Sequence, residues 1–496
     1  MKTKKYSTKL CNDKMTYEDC ELAILRHAID ETKTIKGKKQ VNNEDVQKML
    51  QIVEDFIINK KLICYGGTAI NNILPKYAQF YQKDMEIPDY DFFSSSALDD
   101  AKELANIYYK HGYKDVEAKA GVHKGTFKVF VNYIPIADIT SLHIDLYKNL
   151  LNDSIKIAGI HYCPPNFLRM SMYLELSRPE GDVSRWEKVY SRLQLLNFHY
   201  PMKETCKIYK NKIDTNIHTL VCNTLINHDA IFFGGYAYNL YNKFYNKKSI
   251  DNNSFDVLTD DIDKMALIIE EQLQQNNYTN FKKVQHPSVG EVIPQHIEFQ
   301  IDKQSVLYIY KPIACHNYNI VKIDDKEVKI ATIDTILSFY LAFIYNKDKT
   351  RFDKNRLLCM SKFLFDLSEK HKTETNGILK RFSMNCFGNQ PTLESIRSKK
   401  ATKFKELKHD KNSEEYEQWF LNYSPYKLND KTIINKNSIL NEDNMIIEKL
   451  SKSKSKSKSK SKSKSLSKTL SVKKNVPLNT TKKIKTNLLK QILNIQ

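Results

Sequence analysis

Leu62-Ile63-Cys64-Tyr65-Gly66-Gly67-Thr68-Ala69 returns 168 residues later as Ile231-Phe232-Phe233-Gly234-Gly235-Tyr236-Ala237. Each copy has an apolar run, a glycine pair and a stretch of helical periodicity. After the first copy comes Asp89-Tyr90-Asp91-Phe92-Phe93-Ser94, and after the second comes Ser254-Phe255-Asp256-Val257-Leu258-Thr259. Two acids are kept in the first copy and one in the second. A period of this length is that of a duplicated domain rather than a solenoid.

The order of elements around each copy supports duplication. Leu62–Tyr65 is short enough for a buried strand, and Ala69, Ile70, Ile73 and Leu74 repeat with helical period until Pro75. Phe127 to Ile139 predicts a strand hairpin, and Phe167–Leu176 and Trp186–Leu196 predict a helix pair. The second copy repeats this with strands between Ile293 and Ile330 and helices over 333–345 and 354–367. Ser184-Arg185-Trp186-Glu187-Lys188 is echoed by Thr350-Arg351-Phe352-Asp353-Lys354. Before the first copy, residues 1–60 read as helical. One helix begins near Tyr17 and gives way to the charged Lys33–Lys39 stretch, and a second opens at Asn43-Glu44-Asp45-Val46.

At 496 residues, with 41% hydrophobic side chains, the chain exceeds one ordinary core and predicts several domains. No apolar run reaches the roughly 20 residues that span a bilayer, and no apolar segment follows the charged start. A soluble, internal protein without a membrane partner is expected. Nine cysteines without a C-x-x-C pair fit reduced thiols. His218 and Cys222 stand four apart, but a lone pair of this kind is ordinary surface and core. The net charge of +20 is concentrated at the end: residues 449–496 hold 15 lysines and no acid, leaving about +5 elsewhere. Ser451 to Lys464 is an unbroken Ser-Lys alternation, expected to be disordered because it cannot bury enough apolar surface. It suits sequence-blind phosphate contact through counterion release, with a solubilising or localisation role as the alternative. Thr486–Ile495 can form a short terminal helix.

The chemistry points to phosphoryl transfer. Gly66 and Gly67 let the backbone bend and present amides at a helix N-terminus, where phosphate is favoured, and Thr68 adds a hydroxyl. The same glycines read equally well as a plain turn. Asp89 and Asp91, two apart on a strand, share a face and repel unless cations lie between them. Two divalent metals would serve an in-line attack on a nucleotide's α-phosphate. Asp138, in Tyr133-Ile134-Pro135-Ile136-Ala137-Asp138-Ile139, is the third candidate, since an acid in a core strand is costly without metal or a proton. Asp145 is the reserve. In the second copy the third position falls near Glu298 or Gln300, and Asp256 alone cannot clamp two metals.

Gly66-Gly67, Asp89-x-Asp91 and a distal Asp138 resemble the polymerase-β-type nucleotidyltransferases. The 21 residues between Gly67 and Asp89 exceed the gap in compact members. The tandem arrangement, N-terminal helices and Lys/Asn/Tyr-rich composition resemble the poly(A) polymerase catalytic subunit family of poxviruses and giant DNA viruses, over roughly residues 40–390. That resemblance implies an α+β fold of tandem nucleotidyltransferase domains, each a mixed sheet with flanking helices. The expected divisions are a helical region at 1–60, a catalytic domain at 61–205 and a degenerate, inactive one at 206–395. A polar extension at 396–448 and the basic tail at 449–496 complete them. The implied activity is template-independent addition of AMP from ATP to the 3′ end of mRNA. Asp89, Asp91 and Asp138 would be catalytic and hold two Mg²⁺ or Mn²⁺ ions. Gly66, Gly67, Thr68, Arg178, Arg185 and Lys188 would bind the nucleotide, although each cation also reads as solvated helix surface. Single-stranded RNA and ATP would be the substrates, with a homodimer or a viral partner subunit both compatible. The expected location is the host cytoplasm or viral factory, with packaging in the virion. Another nucleotidyltransferase, such as an oligoadenylate synthase, and an inert RNA-binding or processivity subunit are the competing readings.

Overall fold

The computed structural model describes residues 6–81, 87–202, 213–246, 254–323, 325–348 and 351–426. The Ser-Lys tail, the expected terminal helix and Thr350 lie outside them. Two helices lead in: α1 (Tyr17–Val41) and α2 (Glu44–Lys60). The charged Lys33–Lys39 stretch does not interrupt α1. Lysines are good helix formers, and nothing in that stretch removes a backbone donor. Asn43 caps α2 by accepting from the amides of Asp45 and Val46, and Val46, Met49, Leu50, Val53, Phe56 and Ile57 turn into the core.

The first sheet follows, with its helices: β1 (Ile63–Cys64), α3 (Gly66–Ile73), β2 (Tyr90–Ser94), α4 (Ala97–Lys110), β3 (Val116–Ala120), β4 (Thr126–Val131), β5 (Ile134–Ser141), α5 (Ile144–Asp153), β6 (Ile155–Ile157), β7 (Ile160–Tyr162), α6 (Pro165–Leu176) and α7 (Trp186–His199). The second sheet brings α8 (Thr215–Asn227), β8 (Ile231–Phe232), α9 (Gly235–Asn246), β9 (Phe255–Leu258), α10 (Ile262–Gln275), β10 (Phe281–His286), β11 (His296–Ile301), β12 (Gln304–Tyr310), β13 (His316–Ile323), β14 (Lys326–Ala331), α11 (Ile333–Phe343), α12 (Lys354–Lys370) and β15 (Cys386–Phe387). Last come α13 (Leu393–Leu407), α14 (Glu414–Phe420) and β16 (Asn422–Tyr423). The architecture is α+β, with two mixed sheets.

Strand order is β16-β3-β4-β5-β2-β1-β7-β6 in one sheet and β10-β11-β12-β9-β8-β14-β13-β15 in the other. The central pairings repeat. β2 lies antiparallel to β1 and parallel to β5, as β9 lies antiparallel to β8 and parallel to β12. Even the hairpin turns match. Asn132 and Tyr133 have φ of 48° and 65°, and Asp302 and Lys303 have 49° and 66°. Two successive left-handed residues make the turn whose twist suits a two-residue hairpin.

Equivalent helices close the two halves against each other. α6 packs on α11, and every residue of α11 is buried. Phe167 meets Tyr345 edge to face at 5.5 Å, and the Asn149 amide donates to the Tyr345 carbonyl at 2.8 Å. Asp334, fully buried at the start of α11, takes two bonds from Arg381 Nε, at 2.9 and 2.7 Å.

The chain beyond 395, which composition marks only as polar, folds back onto the first sheet. β16 pairs with β3, Trp419 is buried and the Tyr423 hydroxyl donates to Asn106 Oδ1 at 2.7 Å. The cysteines also depart from expectation, with Cys11 bonded to Cys20 and Cys315 to Cys386. For the second pair the cause is the pairing of β13 with β15, which sets Asn317 opposite Cys386 across 71 residues of sequence separation. His218 lies against the Phe255 ring at 4.5 Å, as ordinary core packing.

Candidate active site

The acids converge at the middle of the first sheet. Asp91 on β2 is the direct neighbour of Asp138 on β5 in a parallel pair, so both side chains leave the same face of adjacent strands. Asp89 stands one residue before β2, and its carbonyl accepts the Thr68 hydroxyl at 2.7 Å. One cation, Lys128 on β4, pairs with Asp138 from the next strand. Burial pushes the Asp91 carboxyl up to about 7, with Asp89 and Asp138 adding to the shift and Lys128 and Arg185 opposing it. Asp89 is raised too, by burial and then by Asp138, against Lys128. For both, the neighbouring carboxylate adds to the effect of burial, and the nearby cations offset it only in part.

Gly66 and Gly67 form the first turn of α3 rather than a break before it. Gly66 has φ +70°, and a Cβ there would lie 2.7 Å from Asp91 Oδ2. Only glycine permits both the left-handed backbone and that approach. A Cβ on Gly67 would stand 2.9 Å from Arg192 Nη1 and would strike the Tyr81 hydroxyl. The helix start thus touches the acids on one side and a guanidinium on the other. Tyr65 stands at the N-cap of α3 without a side-chain capping bond, its hydroxyl sharing a hydrogen bond with Thr140 Oγ1 at 2.8 Å instead.

The other expected contacts divide. Thr68 is buried with its hydroxyl committed to the Asp89 carbonyl, so it braces the acid-bearing strand and does not present a hydroxyl to phosphate. Arg185 is exposed, 3.2 Å from Glu175, and its charge reaches Asp91. Lys188 is exposed on α7. Arg178 does not join them. Its Nε is buried without a hydrogen-bond partner among the described residues, burial lowers its pKa to about 10, and its charge acts on Glu175, Glu291 and His316. It belongs to the packing against the second half, because the turn after α6 carries it toward Glu291 and His316. Asp145 is tied to Lys347 at 3.1 Å and takes no part in the acidic cluster.

Arg192 is the residue that sequence reading missed. Its Nη2 donates to the Tyr81 hydroxyl at 2.9 Å, and its guanidinium lies 4.7 Å from the Phe80 ring and 5.4 Å from the Tyr81 ring. The signal was present: Arg185, Lys188 and Arg192 are spaced by three and four, which sets them on one helical face.

In the second half, Gly234 abuts Asp256 as Gly66 abuts Asp91. The residue paired with Asp256 is Tyr308, not Glu298 or Gln300. Glu298 lies opposite Tyr308 on β11, the place Lys128 holds opposite Asp138. Placing the third acid position near Glu298 is therefore off by one strand. Two of the three acids are replaced, by Ser254 and Tyr308.

Comparison with known proteins adds to this geometry. Residues 51–182 match the family described as the poly(A) polymerase catalytic subunit. A protein of African swine fever virus, provisionally named poly(A) polymerase catalytic subunit, is 29% identical over 180 residues, 35% of this chain and 38% of that protein. A protein of the same provisional name from Acanthamoeba polyphaga mimivirus is 29% identical over 210 residues, 39% of this chain and 35% of that protein. The matched segment thus spans little more than a third of these relatives. The crystal structure of the Megavirus polyadenylate synthase superimposes with a TM-score of 0.71 at 19% identity, covering 89% of this chain and 92% of that one. The segment that carries Gly66-Gly67, Asp89-x-Asp91 and Asp138 is thus similar to viral proteins named as poly(A) polymerase catalytic subunits, and the chain has the fold seen in the Megavirus polyadenylate synthase.

Proposed function

We propose that the chain is a polynucleotide adenylyltransferase that adds AMP from ATP to an RNA 3′ end without a template. The supporting observation is the convergence of Asp89, Asp91 and Asp138 beside the glycine turn of α3, in one half only. In this reading residues 61–205 form the catalytic domain and 206–395 the inert copy.

The acidic trio fits a pair of divalent cations, Mg²⁺ or Mn²⁺. Three carboxylates face one lysine, and two of them are held above the ordinary carboxylate range. When bound, such cations stabilise charge developing at the α-phosphate and make the attacking hydroxyl more acidic. Asp89 and Asp91 would hold both, and Asp138 would hold the one on the primer side and steady the 3′ oxygen as its proton leaves. The first amides of α3 would receive the triphosphate. Arg192 backs the turn at Gly67, and Arg185 and Lys188 offer charge from the same helical face. Pairing of β2 with β5 keeps Asp91 and Asp138 at a fixed separation, so little reorganisation is needed during transfer.

The test is direct. Labelled oligoribonucleotide, Mg²⁺ and each nucleotide in turn should give long ladders with ATP alone, lost in Asp89→Ala and Asp91→Ala. Equal use of all four nucleotides, or 2′–5′ products without primer, would refute the assignment.

A further inference from the structure

The acids of the first half have a counter-ion built into the neighbouring strand. Asp91, Asp138 and Lys128 stand in one row across β2, β5 and β4, since Asp138 is the direct partner of Asp91 on one side and of Lys128 on the other. Adjacent strands lie about 4.8 Å apart and paired side chains leave the same face, so the lysine reaches the acids from its own strand. Its ammonium donates to Asp138 Oδ2, and its charge acts on Asp89 and Asp91 as well. One ammonium against three carboxylates leaves the site open to metal. The Lys128 side chain is 41% exposed, so water is at hand to receive it when it leaves the row.

In the second half the same position carries the opposite charge. Glu298 holds the place of Lys128, opposite Tyr308 and within the field of the Arg351 guanidinium that rests on the Tyr308 ring. Where the row holds acids, its outer member is a base; where an arginine has been brought in, its outer member is an acid. The position thus answers the charge beside it in both halves.

We propose that Lys128 sets how tightly the trio holds divalent cations, by occupying Asp138 in the metal-free protein and opposing the metal that enters. The proposal rests on the two-cation reading of the trio and adds to it the residue that keeps the metal exchangeable. An ammonium one strand away from a doubly charged ion is worth roughly tenfold in affinity even at the dielectric of water.

The test is Mn²⁺ binding to the full chain without nucleotide or RNA, followed at pH 8 through the electron paramagnetic resonance signal of the free ion, with the binding left in Asp91→Asn as background. Lys128→Met keeps the apolar stem and should bind Mn²⁺ about tenfold more tightly than the wild type. Lys128→Arg keeps the charge and should bind no more tightly than the wild type. Lys119→Met removes the next lysine of the row, which pairs with Glu117 at 2.5 Å, and should shift affinity by about twofold at most. Equal affinity in the wild type and Lys128→Met, or a matching gain in Lys128→Arg or Lys119→Met, would overturn the proposal; ladders with ATP would then still uphold the adenylyltransferase reading. Absence of Mn²⁺ binding in both the wild type and Lys128→Met would overturn the two-cation reading along with it.

Discussion

Replacing Asp91 by asparagine should make the metal-free protein more stable at pH 8 and flatten its response to pH. Burial, Asp89 and Asp138 hold the Asp91 carboxyl near 7 against an ordinary value of 3.8. Between those values the folded chain keeps a proton that the unfolded chain has released. Stability therefore falls as pH rises through that window and levels off above it. The window spans roughly three pH units at about 1.4 kcal/mol each, a ceiling near 4 kcal/mol. Asp91 is only half-buried, so about 2 kcal/mol is the more realistic loss. Urea unfolding in EDTA at pH 5, 6.5 and 8 spans the upper two of those three units, so it should show most of this loss in the wild type and a smaller one in Asp91→Asn, where Asp89 is still raised. Added Mg²⁺ should stabilise the wild type at pH 8 far more than at pH 5, where protons compete for the same oxygens. If wild-type stability in EDTA is unchanged from pH 5 to 8, the acids are not crowded as described and the reasoning fails.

Four further substitutions have defined outcomes. Gly66→Ala forces a side chain into a left-handed backbone and against Asp91, and should cut turnover by at least about a hundredfold, the penalty expected for misplacing reacting groups. Gly112→Ala, equally left-handed but with open space around it, should cost about 1 kcal/mol in urea unfolding with turnover unchanged. Arg192→Ala should raise KM for ATP more than it lowers kcat, as steady-state kinetics would show; equal loss in both would place Arg192 outside the ground-state triphosphate contact. Arg381→Ala leaves Asp334 buried in α11 without its cation, so urea unfolding should report a loss of about 3–5 kcal/mol.

The site was legible where its chemistry follows local rules. Asp89-x-Asp91 states its own strand-face geometry, and Asp138 stands out as an acid within an apolar run. The glycine pair marks the turn, although the sequence cannot say that Gly66 must clear a carboxylate. What sequence could not supply were contacts made by distant segments. Thr68 looks like a phosphate ligand until the Asp89 carbonyl is found above it. Arg178 looks like its neighbours until α6 is seen to carry it toward Glu291 and His316. The segment after 395 reads as polar because its helices have no buried stripe of their own; one buried tryptophan and a two-residue strand hold it to β3.

The placing of the third acid position in the second half shows why such errors arise and what they conceal. Period-two patterning sets residues on faces but does not say which of two neighbouring strands carries a given position. Glu298 and Tyr308 lie side by side, so a loosely aligned sequence readily takes one for the other. The acid is the more tempting choice because it preserves the chemistry. Pairing of β9 with β12 assigns the position to Tyr308, and its ring supports Arg351. In the first half, crowded acids leave a demand for cations that the chain itself does not meet. In the second, removing two acids and directing an arginine inward meets that demand from within. In the reading proposed above, the same strand arrangement would hold an exchangeable metal in one half and keeps a permanent guanidinium near its remaining aspartate in the other, and the residue opposite that aspartate differs between them.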